Sequence, residues 1–162
     1  MSIEHLDSFL QNNEINEACL LIEELADNND AMLTDYLIKQ LELTEEPLIR
    51  IQIALTLSDM ACQDAVEPII KLLQDPKTLG YRGSLLYALA PLHYSEHIDL
   101  LFELMMTGNF EVSRQSYLLL EKIIDDIPLN KRQEYKLKIK KHIEDMEDKI
   151  DFLTDAIDEL NL

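Results

Sequence analysis

The stretch that decides the fold is Pro47-Leu48-Ile49-Arg50-Ile51-Gln52-Ile53-Ala54-Leu55-Thr56-Leu57. Within it, Ile53, Ala54 and Leu57 have the i, i+1, i+4 spacing that places three apolar side chains on one side of a helix. The same triplet occurs 32 residues earlier, at 21, 22 and 25, and 32 residues later, at 85, 86 and 89. A helical pattern that returns at a fixed interval predicts a repeat protein.

A second apolar series has the same interval and predicts a second helix in each repeat. Leu37 and Leu41 are followed 32 residues later by Ile69 and Leu73, and a further 32 residues on by 101 and 105. Polar, glycine or proline residues separate the two series and predict the turns. The predicted helix pairs are 2–11 with 14–26, 31–43 with 47–61, 65–74 with 79–92, and 97–106 with 110–126.

The turn and the second helix of these pairs resemble HEAT-like repeats. The similarity lies in Asp75-Pro76, in the arginines Arg50, Arg82 and Arg114 spaced 32 apart, and in the Ala/Leu-rich stretch after each arginine. It covers about 30–126 and is weaker in 2–26, where Ala18 replaces the arginine. The resemblance implies an all-α, right-handed α-solenoid of about four helical hairpins. It also implies that Asp75 and the three arginines tie neighbouring hairpins together.

The pattern changes after Pro128. Residues 131–141 contain six basic side chains, whereas 144–159 contain eight acidic ones against Lys149 alone. An apolar stripe runs through both blocks and predicts one long helix or two, capping the open end of the array. The stripe consists of Ile139, Ile143, Met146, Ile150, Leu153 and Ile157. We expect a single domain over 1–162, with the repeats in 1–130 and the cap in 131–162.

Composition restricts the function more than it restricts the fold. The formal net charge is -18, and residues 1–50 hold 12 acidic side chains against two basic ones. Such a chain repels phosphates, so direct binding of nucleic acid or an anionic membrane is not expected. The sequence shows no signal peptide and no long apolar run, and it predicts a cytoplasmic protein. Cys19 and Cys62 are predicted to be free, buried thiols in a reducing compartment.

One segment of the sequence formally matches a catalytic motif. His93-Tyr94-Ser95-Glu96-His97 matches H-x-x-E-H, a zinc-protease pattern that requires both histidines on one helix. The 32-residue register places it in a turn, where Ser95 is expected to cap the next helix. Asp27-Asn28-Asn29-Asp30 lacks the spacing of a calcium loop and predicts a turn with a helix cap. We therefore expect no catalytic residue, metal or cofactor.

One face of the second helices is the candidate binding site. With 100° of rotation per residue, the second, fifth and ninth positions after the repeat arginine point away from the apolar triplet. Together they predict a mixed apolar and acidic groove on the inner, concave surface that the resemblance implies. An alternative is that Leu55 and Leu119 belong to the core. The candidate partner-binding residues are Glu23, Asp27, Gln52, Leu55, Asp59, Ser84, Tyr87 and Leu119.

These observations favour a non-enzymatic protein that binds another, basic protein through this acidic surface. A sharper version is an inhibitor or immunity protein that neutralises a nuclease-type toxin. HEAT-like proteins also include lyase-like subunits that handle a small molecule or cofactor, and that alternative stays open. A third hypothesis is an assembly role, in which the basic and acidic halves of 131–160 pair antiparallel with a second copy.

Overall fold

The computed structural model describes residues 3–26 and 31–160, and within them the chain forms nine α-helices and no strand. Their order agrees with the predicted hairpins, followed by one long helix. The helices are α1 Ile3–Gln11, α2 Ile15–Ala26, α3 Ala31–Leu43, α4 Pro47–Asp59, α5 Val66–Gln74, α6 Arg82–Leu89, α7 Ile98–Thr107, α8 Phe110–Ile123 and α9 Leu129–Glu159.

Local chemistry sets several helix ends. The Glu46 carboxylate accepts a bond from the Leu48 amide and Pro47 follows as the first helical residue of α4, a position where its missing N–H costs nothing. Asn109 caps α8 by accepting from the Val112 amide at 2.9 Å. Helix α4 ends before Ala61, whose φ of 51° is left-handed. Helix α6 is shorter than the predicted 79–92, because turns flank it on both sides.

The helices pack as consecutive hairpins. Each odd-numbered helix lies against the next even-numbered one, α1 on α2, α3 on α4, α5 on α6 and α7 on α8. The even helices also lie side by side, with α4 between α2 and α6, and α6 between α4 and α8. We call this row of α2, α4, α6 and α8 the even-helix layer. One apolar cluster joins residues of all nine helices, from Leu6 of α1 to Tyr135 of α9.

Helix α8 departs from the predicted apolar face. Tyr117, a member of that face by register, is 49% exposed, whereas Ser116 and Leu120 are buried. The buried face is therefore shifted by one residue, or about 100° around the axis. The shift keeps the charged side chain of Glu121 exposed, although register places it on the apolar face.

Two of the three arginines donate hydrogen bonds within their own hairpins, and not to a neighbouring unit as the resemblance implies. Arg50 is 1% exposed, and its Nη2 donates to the Thr44 carbonyl of the preceding turn at 2.5 Å. The half-buried Arg82 likewise donates to the Asp75 carbonyl at 3.3 Å. Arg114 is exposed. The same repeat position therefore has three different environments.

Other side chains connect neighbouring hairpins, and the bonded residues are a nearly constant number of positions apart in the sequence. Lys71 reaches Glu42 at 3.3 Å, 29 residues back, and Lys77 reaches Glu45 at 3.3 Å, 32 residues back. Comparable bonds join Tyr36 to Asp7, Gln52 to Glu23, Gln63 to His93 and Lys122 to Ala90. The interval read from the sequence thus recurs in the packing.

The tail forms one helix, and only its first part is docked. Tyr135 is buried and stacks on Phe102 of α7, with ring centroids 3.7 Å apart. Ile139 packs against the core, whereas Ile143 and the rest of the stripe are exposed. The predicted cap therefore covers α7 with its N-terminal turns alone. No helix in the described ranges is long and apolar enough to span a membrane.

Candidate binding surface

Two depressions in the even-helix layer contain most of the predicted binding residues. The first, of about 350 Å³, lies between α2 and α4 and is lined by Asn16, Cys19, Leu20, Glu23 and Gln52. Gln52 Nε2 donates to Glu23 Oε1 at 3.2 Å, which fixes the two side chains across the helix boundary. The predicted pair Glu23 and Gln52 is thus brought together, beside an exposed Leu20.

The second depression, of about 220 Å³, lies at the junction of α4, α6 and α8. Leu55, Ser84 and Tyr87 line it, as predicted, together with Glu111 and Gln115 of α8. Tyr87 is 61% exposed, so its ring is available to a partner. The side chain of Glu111 lies directly over Gly83, in space that a Cβ at this position would occupy. The missing side chain at position 83 therefore lets this carboxylate approach α6.

Two of the other predicted residues, Leu119 and Asp59, lie outside these depressions. Leu119 is 3% exposed, and its carbonyl accepts a bond from the Tyr94 hydroxyl at 2.9 Å, so it belongs to the core and not to the surface. Asp59 is exposed at the end of α4 but lines neither depression. Asp27 lies outside the described residues.

Sequence reasoning missed Glu111 and Gln115. The one-residue shift of α8 explains Gln115, which takes the surface position that Gln52 and Ser84 hold in α4 and α6, whereas their register equivalent Ser116 is buried. Glu121 in the expected apolar face was the available signal, since a carboxylate there favours turning the helix. We define the even-helix surface as the residues that line the two depressions.

Cys19 occupies the first depression and is only partly buried, which corrects the prediction of buried thiols. Cys62 is also free and partly buried. Burial, followed by the nearby carboxylates of Glu23 and Glu46, raises the pKa of the Cys19 thiol. This thiol consequently stays protonated and is a poor nucleophile at neutral pH.

The charge of the even-helix surface has one sign. Glu23 and Glu111 are exposed carboxylates, and neither depression is lined by lysine or arginine among the residues that the structure describes. By contrast, Lys71 and Lys77 lie on or next to α5 and pair with acids of the preceding hairpin. The even-helix surface therefore retains carboxylates that these lysines do not neutralise.

The H-x-x-E-H segment is used for contacts between hairpins. His97 Nε2 lies 2.9 Å from Glu67 Oε1, and the Gln63 side chain bonds both the N–H and the C=O of His93. Ser95–His97 form a short 3-10 turn before α7, and Ser95 does not supply the expected cap, since no side chain caps α7 there. The two histidines do not share a helix. Among the described residues, no group of three His, Cys, Asp or Glu could hold a metal ion.

These features define an all-α protein with a mixed acidic and apolar surface on one helix layer. Comparisons with family models, with curated proteins and with solved structures find no match for this chain.

Proposed function

We propose that this chain is a non-enzymatic protein-binding module whose partner is a basic protein. The observation that carries the proposal is the second depression, where the exposed Tyr87 ring adjoins the Glu111 carboxylate. Tyrosine offers a large, rigid contact at low entropic cost and is enriched among residues that dominate binding energy. An apolar anchor that carries lysine or arginine beside it is the complementary surface.

We infer further that the four hairpins form a right-handed HEAT-like α-solenoid. Two observations support this reading, namely the side-by-side even helices and the bonds that recur every 29 to 32 residues. In such an array the even helices line the concave face. The even-helix surface would then be a groove in which a partner buries more area than on a convex face.

The charge distribution supports a basic partner over a neutral one. A net charge of -18 attracts a cationic protein over a distance of about one Debye length, roughly 8 Å at physiological salt. Such attraction raises the association rate more than the affinity and weakens as salt rises. A nuclease has a basic cleft for phosphates, so an inhibitor or immunity protein that blocks this cleft is the sharper form of the proposal.

Affinity capture from native lysate, at low and at high salt, tests the proposal when retained proteins are identified by mass spectrometry. We expect a basic protein that is retained at low salt and lost at high salt. Tyr87→Ala should lower its affinity at least about tenfold. Tyr117→Ala is the matched control, because Tyr117 is also exposed on an even helix but lines neither depression.

A second pair of variants separates local charge from net charge. Glu23→Gln with Glu111→Gln removes two carboxylates from the even-helix surface. Glu96→Gln with Glu103→Gln removes two exposed carboxylates on or next to α7 and changes the net charge equally. We expect slower association for the first pair alone. Equal effects of both pairs, or no retained protein at either salt, would refute the proposal and direct the search to a small ligand.

A further inference from the structure

The exposed part of α9 has a periodic apolar face that is open to solvent. From position 143 onward the apolar residues are spaced alternately by three and four, the a and d positions of a coiled coil. Their side chains are between 47% and 66% exposed. We call this face the free stripe; it consists of Ile143, Met146, Ile150, Leu153, Ile157 and Leu160.

We propose that the free stripe is a homodimerisation surface that pairs antiparallel with the free stripe of a second copy. This inference is independent of the proposed basic partner, because it concerns a different helix.

The positions of the charges favour a second copy over a basic helix. Seven of the eight carboxylates between 144 and 159 fall at positions b, c and f, which point away from a partner in a coiled coil. The flanking e and g positions hold Glu147, Lys149, Thr154 and Ala156. These flanks carry no net charge, so they do not select for a basic partner.

The length of the free stripe determines the register. An antiparallel pairing that places Ile143 opposite Leu160 of the second copy also places Met146 opposite Ile157 and Ile150 opposite Leu153. All six residues of each copy are then used. The same register places Glu147 beside Thr154 and Lys149 beside Ala156, so no like charges face each other across the seam.

The docked turns of α9 explain why the pairing is antiparallel. Tyr135 and Ile139 continue the free stripe toward the N-terminus of α9, and both pack against the core beneath α9. In a parallel pair, the two hairpin arrays would occupy this same space between the helices. In the antiparallel pair they lie at opposite ends, which also separates two bodies of high negative charge.

The area is sufficient for a stable dimer. If all of the exposed area of these six side chains, roughly 100 Å² each, became buried, two copies would bury about 1,200 Å², the lower end of the range for specific interfaces.

Sedimentation equilibrium of the full chain tests the dimer. We expect a dimeric wild type and a dissociation constant at least about 100-fold weaker for Ile150→Glu, since a carboxylate would enter the seam twice per dimer. Phe152→Glu is the matched control, because Phe152 is 68% exposed but occupies the outward c position; its constant should change less than about threefold. A monomeric wild type, or equal weakening by both variants, overturns the proposal.

Cross-linking tests the orientation, in chains whose own thiols are replaced by Cys19→Ser and Cys62→Ser. A chain carrying Met146→Cys should form a disulfide with a chain carrying Ile157→Cys and should not cross-link with itself, because in this register each residue lies eleven residues, about 16 Å, from its own copy along the helix axis. Self-linking of either variant would indicate a parallel pair and overturn the register. Added salt should strengthen this dimer by screening repulsion between the acidic copies, the opposite of its effect on a basic partner.

Discussion

Truncation of Tyr135 is the sharpest test of how α9 is attached to the hairpins. Tyr135 is 2% exposed and lies parallel to Phe102, with 13° between the ring planes. Its hydroxyl donates to the Asp99 carboxylate. Lys131 and Lys138 sit 5.8 and 5.4 Å from the ring centroid, within range of a cation–π interaction. Ring stacking, a hydrogen bond and two cation–π contacts thus all involve Tyr135.

The expected cost follows from these contacts. Tyr135→Ala removes a buried aromatic ring, a change that costs about 3 to 5 kcal/mol in a packed core. Tyr135→Phe keeps the ring and loses one hydrogen bond, worth about 0.5 to 1.5 kcal/mol, because the exposed Asp99 carboxylate can bind water instead. The alanine variant should therefore cost several times more than the phenylalanine variant.

Urea denaturation followed by far-UV circular dichroism measures both costs, and amide exchange over 129–141 reports undocking directly. Leu137→Ala is the control, because Leu137 is on the same helix but 68% exposed, and it should cost less than about 0.5 kcal/mol. If Tyr135→Ala cost no more than Leu137→Ala, α9 would not be anchored through this ring, and the antiparallel argument would lose its basis.

Three further predictions concern the hairpins. Alanine substitution of the register-equivalent arginines should lower the free energy of unfolding by about 2 kcal/mol at Arg50, about 1 at Arg82 and less than 0.5 at Arg114. Equal denaturation midpoints for the three variants would contradict the different environments of the arginines. Ala61→Gly should stabilise the protein by roughly 0.5 to 1 kcal/mol, because glycine adopts a left-handed φ without penalty; a lower thermal midpoint would contradict this. Burial, and then the hydrogen bond to Asp7, raise the pKa of Tyr36, so stability should fall above pH of about 10, where an unfolded tyrosine deprotonates first. Tyr36→Phe should reduce that fall in alkaline melting curves, and an unchanged slope would show that Tyr36 does not contribute.

The sequence predicted the helices well because breakers mark their ends and one apolar pattern repeats. It also predicted one groove lined by Glu23, Gln52, Leu55, Ser84 and Tyr87, which the structure divides between two depressions. These residues lie on α2, α4 and α6, whose apolar faces follow the common register.

The prediction was wrong for α8, whose buried face does not follow the common register. Leu119 was placed on the surface by counting from Arg114, but rotation of α8 buries it, in agreement with the alternative that it belongs to the core. Such a rotation depends on packing against α6 and α7, and a repeat count contains no information about that packing. The docking of Tyr135 could have been found, since it lies four residues before Ile139 and continues the stripe.

The bonds that join hairpins 29 to 32 residues apart bear on how such a chain could change during evolution. Because each hairpin makes its main contacts with the adjacent ones, removing or duplicating one whole 32-residue unit would bring equivalent partners together again. A deletion of any other length would bring non-equivalent side chains into contact. Variation in length among relatives of this protein should therefore occur in steps of one hairpin, which would lengthen or shorten the even-helix surface and leave α9 intact.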